Sequence, residues 1–159
     1  MKTLTVALNN LQNEEWTAKE KENVALITNF IQHLMNEHDF EYIDRHFGHH
    51  NYTQHNRNMT DTISGVVESV SGIVKRFPDY TYDVKHIFAD GNHVTFHSHV
   101  TMNKADRGDD TKGLNIMDTW RVQDGQIVEH WDAIQPLDRS MRFFVLMNGG
   151  KIRNGNGVF

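Results

Sequence analysis

Apolar and polar positions divide the chain into a helical first half and an extended second half. From about Glu14 the apolar residues fall at helical spacing. Val24, Ile27, Ile31, Leu34 and Met35 recur three and four residues apart, and Leu26 and Phe30 widen the stripe. Residues 1–13 are polar with scattered leucines, which predicts a loose arm. A second helix is predicted over Phe40–Phe47, with Asp39 as N-cap and Gly48 as its stop. Asn51–Asn56 reads as a short extended piece. A third helix runs from about Thr62 to Arg76, with Ile63, Val66, Val67, Val70, Ile73 and Val74 inward. Phe77-Pro78-Asp79 breaks it, because proline disfavours helical geometry at the residue before it.

Alternation then takes over. Tyr80–Ala89 places Tyr82, Val84, His86 and Phe88 in step, and Asp90-Gly91-Asn92 is a turn. In His93–Asn103, Val94, Phe96, Ser98, Val100 and Met102 share one face. His93, Thr95, His97, His99 and Thr101 share the other. A charged loop, Lys104–Lys112, leads to a hairpin: Ile116–Val122, a turn at Asp124-Gly125, then Ile127–Gln135. Beyond Leu137 lie an apolar run, Phe143–Met147, and a Gly- and Asn-rich end expected to hold little regular structure. Helices come first and strands follow, without βαβ alternation. The expected class is α+β, with one strongly bent antiparallel sheet wrapped around helices.

Composition narrows the function. The 159 residues fit a single domain, core about 14–136 and tail 137–159. Sixteen Lys and Arg against 21 Asp and Glu give a net charge of −5, which argues against nucleic-acid partners. The absence of cysteine excludes disulfides, thiolate metal sites and cysteine nucleophiles. No apolar run nears the ~20 residues of a membrane span. The N-terminus is a poor signal peptide, so a cytoplasmic location is expected. Eleven histidines are scattered rather than gathered into a tag.

The candidate chemistry sits in the strands. His130 and Asp132 share one face of an otherwise apolar hairpin, where ionisable groups are costly to bury without partners. A carboxylate in an apolar cavity has its pKa raised, and a neighbouring histidine can set its protonation. Asp118 shares a face with Ile116 and Trp120 and also needs a partner if buried. His97 and His99 sit two apart, a spacing that suits metal ligation or a proton relay. On alternation alone they belong to a polar outer face with Thr95 and Thr101. His55 and Asn56 follow the second helix as loop polarity. His46, His49 and His50 lack a third metal ligand at a recognised spacing, and Gly149-Gly150 is no nucleotide fingerprint.

Three stretches carry a resemblance: YTQHN at Tyr52–Asn56, DGNHV at Asp90–Val94, and DTWRVQDGQIVEHWDAIQ at Asp118–Gln135. With three preceding helices and a terminal NGNGVF, the chain resembles the SnoaL-like branch of the nuclear transport factor 2-like superfamily over roughly Val24–Gln135. The resemblance implies a cone-shaped α+β barrel whose open sheet holds a pocket. Polyketide cyclases of this type use a pocket Asp as general acid/base. Epoxide hydrolases of the superfamily use a carboxylate late in the last core strand, a second carboxylate and an Arg. Asp132 falls at the first of these, and His97 and His99 fall about where the other two would be, so the epoxide-opening triad is not reproduced. His55 and Asn56 fall where groups that orient water or substrate sit. The implied protein is a cyclase or isomerase acting on a small apolar carbonyl compound, without metal or cofactor. Asp132, His130, His97 and His99 would be catalytic, and His55, Asn56, Asp118 and Trp120 would bind substrate. The alternative is a non-catalytic binding protein of the same fold. A homodimer through the convex sheet face is also implied.

Overall fold

The computed structural model describes residues 4–48, 51–148 and 152–158. His49, His50, Gly149 and Gly150, named above, lie outside the described residues. In chain order the helices are α1 (Leu8–Leu11), α2 (Ala18–Ile31), α3 (Phe40–Phe47), α4 (Ile63–Arg76) and α5 (Arg139–Asn148). The strands are β1 (Thr53–Gln54), β2 (Thr81–Asp90), β3 (His93–Thr101), β4 (Leu114–Gln123) and β5 (Gln126–Pro136). They form one curved, open sheet in the order β1-β5-β4-β3-β2. β1 lies parallel to β5, and every other pair is antiparallel. The result is the α+β class expected from the element order, in the cone shape that the resemblance implied. Among the described residues no helix is long and apolar enough to cross a membrane.

Local chemistry fixes where the helices sit. Thr17 and Glu20 form a capping box at the start of α2. Glu20 also accepts from the Gly91 amide at 2.9 Å, and Asn23 Nδ2 donates to the Gly91 carbonyl at 3.1 Å. The β2–β3 turn is thereby pinned to α2. A π-helical turn, Gln32–Glu37, follows α2. It brings Asn36 alongside β2, where its side chain pairs with both the amide and the carbonyl of Tyr82, at 2.8 and 3.0 Å. A side-chain amide thus satisfies the open edge of the sheet. Asp39 caps α3 by accepting from the Tyr42 amide at 3.0 Å. The core lies between α2–α4 and the concave face, with Ile27, Phe30, Ile31, Leu34, Ile43 and Val70 against Val94, Phe96 and Trp120.

Three expectations need correction. Residues before Glu14 are not wholly a loose arm: Val6 is buried, and its amide donates to Gln32 at 3.0 Å. The alternation Tyr82–Val84–His86–Phe88 fails because a register shift between Val84 and His86 turns Ile87 inward and leaves His86 and Phe88 exposed. The apolar run in the tail is a helix, α5, which sets Phe144 against Phe77 at the mouth of the cone.

One glycine is required by geometry. Gly113, at the entry to β4, has φ +82°, and a Cβ there would collide with the Val100 carbonyl oxygen. Gly113→Ala is expected to destabilise the fold by about 1–3 kcal/mol, read as a lower urea midpoint. An unchanged midpoint would contradict that contact.

Candidate functional site

The register of the hairpin builds the site. Asp118 on β4 lies directly opposite Asp132 on β5, and Trp120 lies opposite His130. All four side chains project to the concave face, as their shared parity requires. They line a cavity of about 100 Å³ whose other walls include Phe30, Tyr52, Tyr80, Tyr82 and Ile116. An outer cleft of about 440 Å³ shares Met59, Ile73, Ile134, Phe144 and Val145 with this cavity. A reacting group of a few atoms fits the inner space, and the rest of a ligand would lie in the cleft.

His130 is held at both ring nitrogens. Nδ1 is 2.9 Å from Gln54 Oε1, and Nε2 is 3.0 Å from Asp118 Oδ1. The Asn56 amide donates to the same Gln54 oxygen at 2.8 Å, so that oxygen is an acceptor and Nδ1 must carry hydrogen. One further proton is then shared between Nε2 and Asp118. Trp120 stacks on the imidazole at 5.2 Å, with Phe96 edge-on behind it. The second carboxylate has a different partner: Asn56 Nδ2 donates to Asp132 Oδ2 at 2.6 Å. His130 was expected to tune Asp132, but it bonds Asp118 instead.

Asp118 is 3% exposed, and its Oδ2 has no hydrogen-bond partner among the described residues. Burial pushes its pKa up, and Asp132 across the strand pair adds to this, while His130 works against it. Burial also pushes Tyr52 and Tyr82 well above the usual phenol range, and Tyr80 up as well, so these O–H groups stay donors. Gln54 donates to the Tyr52 hydroxyl oxygen at 3.2 Å, which leaves the Tyr52 proton free for another acceptor.

The structure does not bring His97 and His99 into this site. Phe96 is the β3 residue opposite Asp118, so its neighbour His97 projects to the convex face. There His97 Nε2 donates to Asn115 Oδ1 at 2.6 Å, and its Nδ1 meets His86 Nδ1 at 3.1 Å. His99 Nε2 donates to the Lys112 carbonyl at 2.7 Å. The expectation that these rings face Asp132 inside the cone is corrected: strand parity forbids it. His55 also lies outside the cavity. It stacks on Trp131 at 4.8 Å, with Nε2 2.9 Å from Glu129 and Nδ1 against the Gly157 carbonyl. Both ring nitrogens face acceptors. Asn56, Asp118 and Trp120 are in or against the cavity wall.

Sequence reasoning missed Gln54 and the three tyrosines. A signal existed for Tyr52 and Gln54, which sit two apart in an extended stretch and so share a face. Asp118, His130 and Asp132 could also hold a divalent cation, since one donor atom from each lies within 4.8 Å of the others.

The model of the SnoaL-like domain matches residues 27–130. The chain belongs to the SnoaL-like family. Its fold is shared by AclR, a proposed hydroxylase from Streptomyces galilaeus, at 23% identity and TM-score 0.60, covering 82% of this chain and 97% of that one. A proposed polyketide cyclase from Bacillus cereus is 20% identical, with TM-score 0.62 and coverage of 77% and 81%. A proposed SnoaL-like polyketide cyclase from Jannaschia sp. CCS1 is 10% identical, with TM-score 0.62 and coverage of 87% and 99%. At these identities the likeness speaks for the SnoaL-like fold alone. No curated protein sequence is a significant match.

Proposed function

We propose that this SnoaL-like protein is an acid–base enzyme of the cyclase or isomerase type, acting on a small apolar carbonyl compound. The observation that carries this is a pair of opposed carboxylates, Asp118 and Asp132, set with a locked imidazole in an otherwise apolar cavity. Asp132 takes a proton from the carbon next to the carbonyl. A tyrosine hydroxyl of the cavity wall, that of Tyr52, donates to the developing enolate oxygen. Asp118, at the end of the Gln54–His130–Asp118 chain, gives the proton that returns to product, and the proton left on Asp132 passes back to Asp118 across the strand pair, so both carboxyls end as they began. His97 and His99, on the far side of the sheet, have no part in this step. The reading needs no metal, and elemental analysis of untagged protein should find substoichiometric content.

The test is solvent deuterium incorporation next to the carbonyl in a panel of small apolar ketones, followed by NMR. Exchange that depends on Asp132 supports the enzyme. Tight binding of the same ketones without exchange would instead favour a non-catalytic binding protein. We also propose a homodimer through the convex face, where Phe88 and Met117 are exposed and Trp131 points outward. Light scattering at micromolar concentration is expected to give twice the 18.5 kDa chain mass, and a monomeric mass would contradict the dimer.

A further inference from the structure

The last described residues, 152–158, hold no regular structure, yet they are tied to a single loop. Asn154 Nδ2 donates to the carbonyls of Asn56 and Met59, both at 2.9 Å. Asn156 Nδ2 donates to the Gln54 carbonyl at 2.9 Å, and the Arg153 amide to the Arg57 carbonyl at 2.8 Å. Within this strap the Asn156 amide donates to Asn154 Oδ1 at 3.1 Å, a side-chain turn that ties the two anchoring residues together. Gly157 completes the attachment at His55, which Glu129 and Trp131 fasten to β5.

The loop so gripped is the one that matters to the cavity. Its backbone joins the sheet edge through the short β1 pairing of Thr53 and Gln54 with β5 and the His55 amide, which donates to the His130 carbonyl at 2.9 Å. It carries Gln54, which fixes the His130 tautomer, and Asn56, which holds Asp132. Its internal bonds link the two: the Asn56 amide donates to Gln54 Oε1, and the Asn58 amide to Asn56 Oδ1. A shift of the loop backbone therefore moves both polar partners of the site at once.

We propose that Asn154 and Asn156 are positioning residues: the C-terminal strap holds Gln54 and Asn56 in place, and through them the reactive groups of the cavity. The catalytic consequence rests on the acid–base reading above, but the mechanical one does not. A displacement of about 1 Å at a reacting group can cost ~10²-fold in rate, so the strap need not touch substrate to control turnover.

The experiment uses the full chain carrying Asn154→Ala and Asn156→Ala together. Amide hydrogen exchange is measured over residues 52–60, with β3 as the internal control. The imidazole N–H signals are followed by NMR, and ketone exchange is assayed in parallel. The expected result is at least about tenfold faster exchange in 52–60 with β3 unchanged, and a broadened or lost His130 Nδ1–H signal. Ketone exchange should fall about 10–100-fold in kcat with little change in KM. Unchanged hydrogen exchange in 52–60 would overturn the proposal whatever the activity. Faster loop exchange with full ketone turnover would overturn the positioning role and leave the acid–base reading standing. If wild-type protein turns over no ketone, that reading fails by itself. The His130 signal then decides: its loss in the variant supports the strap, and its persistence overturns it. Asn154→Ser and Asn156→Ser, with smaller expected changes in the same direction, serve if the alanine variant is poorly folded.

Discussion

Asp132→Asn should lower the rate of ketone deuteration by about 10²–10⁴-fold and leave the fold intact. The substitution keeps the shape of the side chain. Its amide oxygen can still accept the hydrogen bond that Asn56 Nδ2 now gives to Asp132 Oδ2. What it removes is the proton acceptor that lines the inner cavity. Because the loss falls on the chemical step, kcat should drop while KM moves little. His97→Gln and His99→Gln provide the contrast. Their bonds are to Asn115, His86 and Lys112 on the convex face, so turnover should stay within about threefold of wild type. Equal loss in the histidine variants, or full activity in Asp132→Asn, would contradict the assignment. Both are read in one NMR assay.

Asp118→Asn should have effects of opposite sign on activity and stability. Turnover falls, because the carboxyl that shares a proton with His130 is gone. Stability near neutral pH rises by about 1–3 kcal/mol, because a buried carboxyl that is costly to ionise is replaced by an amide that carries no charge. The dependence on pH follows from the raised pKa of Asp118, due first to its burial. In the unfolded chain this group titrates near about 3.9, and in the folded chain it holds its proton to higher pH. Below the unfolded value both states are protonated and the group costs nothing. As pH rises above it, the unfolded state is favoured progressively, until the folded carboxyl has also titrated. The variant lacks this loss. The stability difference in its favour should be small near pH 4 and grow with pH, as followed by urea unfolding at several pH values. A variant that is less stable at neutral pH, or a difference independent of pH, would overturn the picture.

Much of this was legible in the sequence, and the gaps have physical reasons. Period-two alternation put His130 on one face with Asp132, and Asp118 on one face with Trp120, and the hairpin keeps both groupings because its register is unbroken at those positions. The same rule placed His97 and His99 outside with Thr95, and the structure keeps them there; family resemblance had drawn them inward. Parity failed in β2, where the shift between Val84 and His86 moves Ile87 inward, and no residue type there announces it. Which partner each buried group takes was not legible. His130 reaches across to Asp118 and Gln54, and Asp132 to Asn56. Those pairings depend on how β1 docks beside β5, a contact between segments 76 residues apart. The strap was hidden for the same reason: asparagines in a Gly-rich tail read as disorder until the carbonyls they satisfy are known.

Long-range ¹⁵N–¹H spectra of the imidazole rings test most directly whether the reactive groups meet inside the cone. His130 is expected to show a protonated Nδ1 whose hydrogen exchanges slowly with water. Its Nε2 resonance should shift in Asp118→Asn and stay in place in His97→Gln. An unprotonated Nδ1, or a His130 ring that exchanges as freely as an exposed imidazole, would place it outside the cavity and dissolve the site.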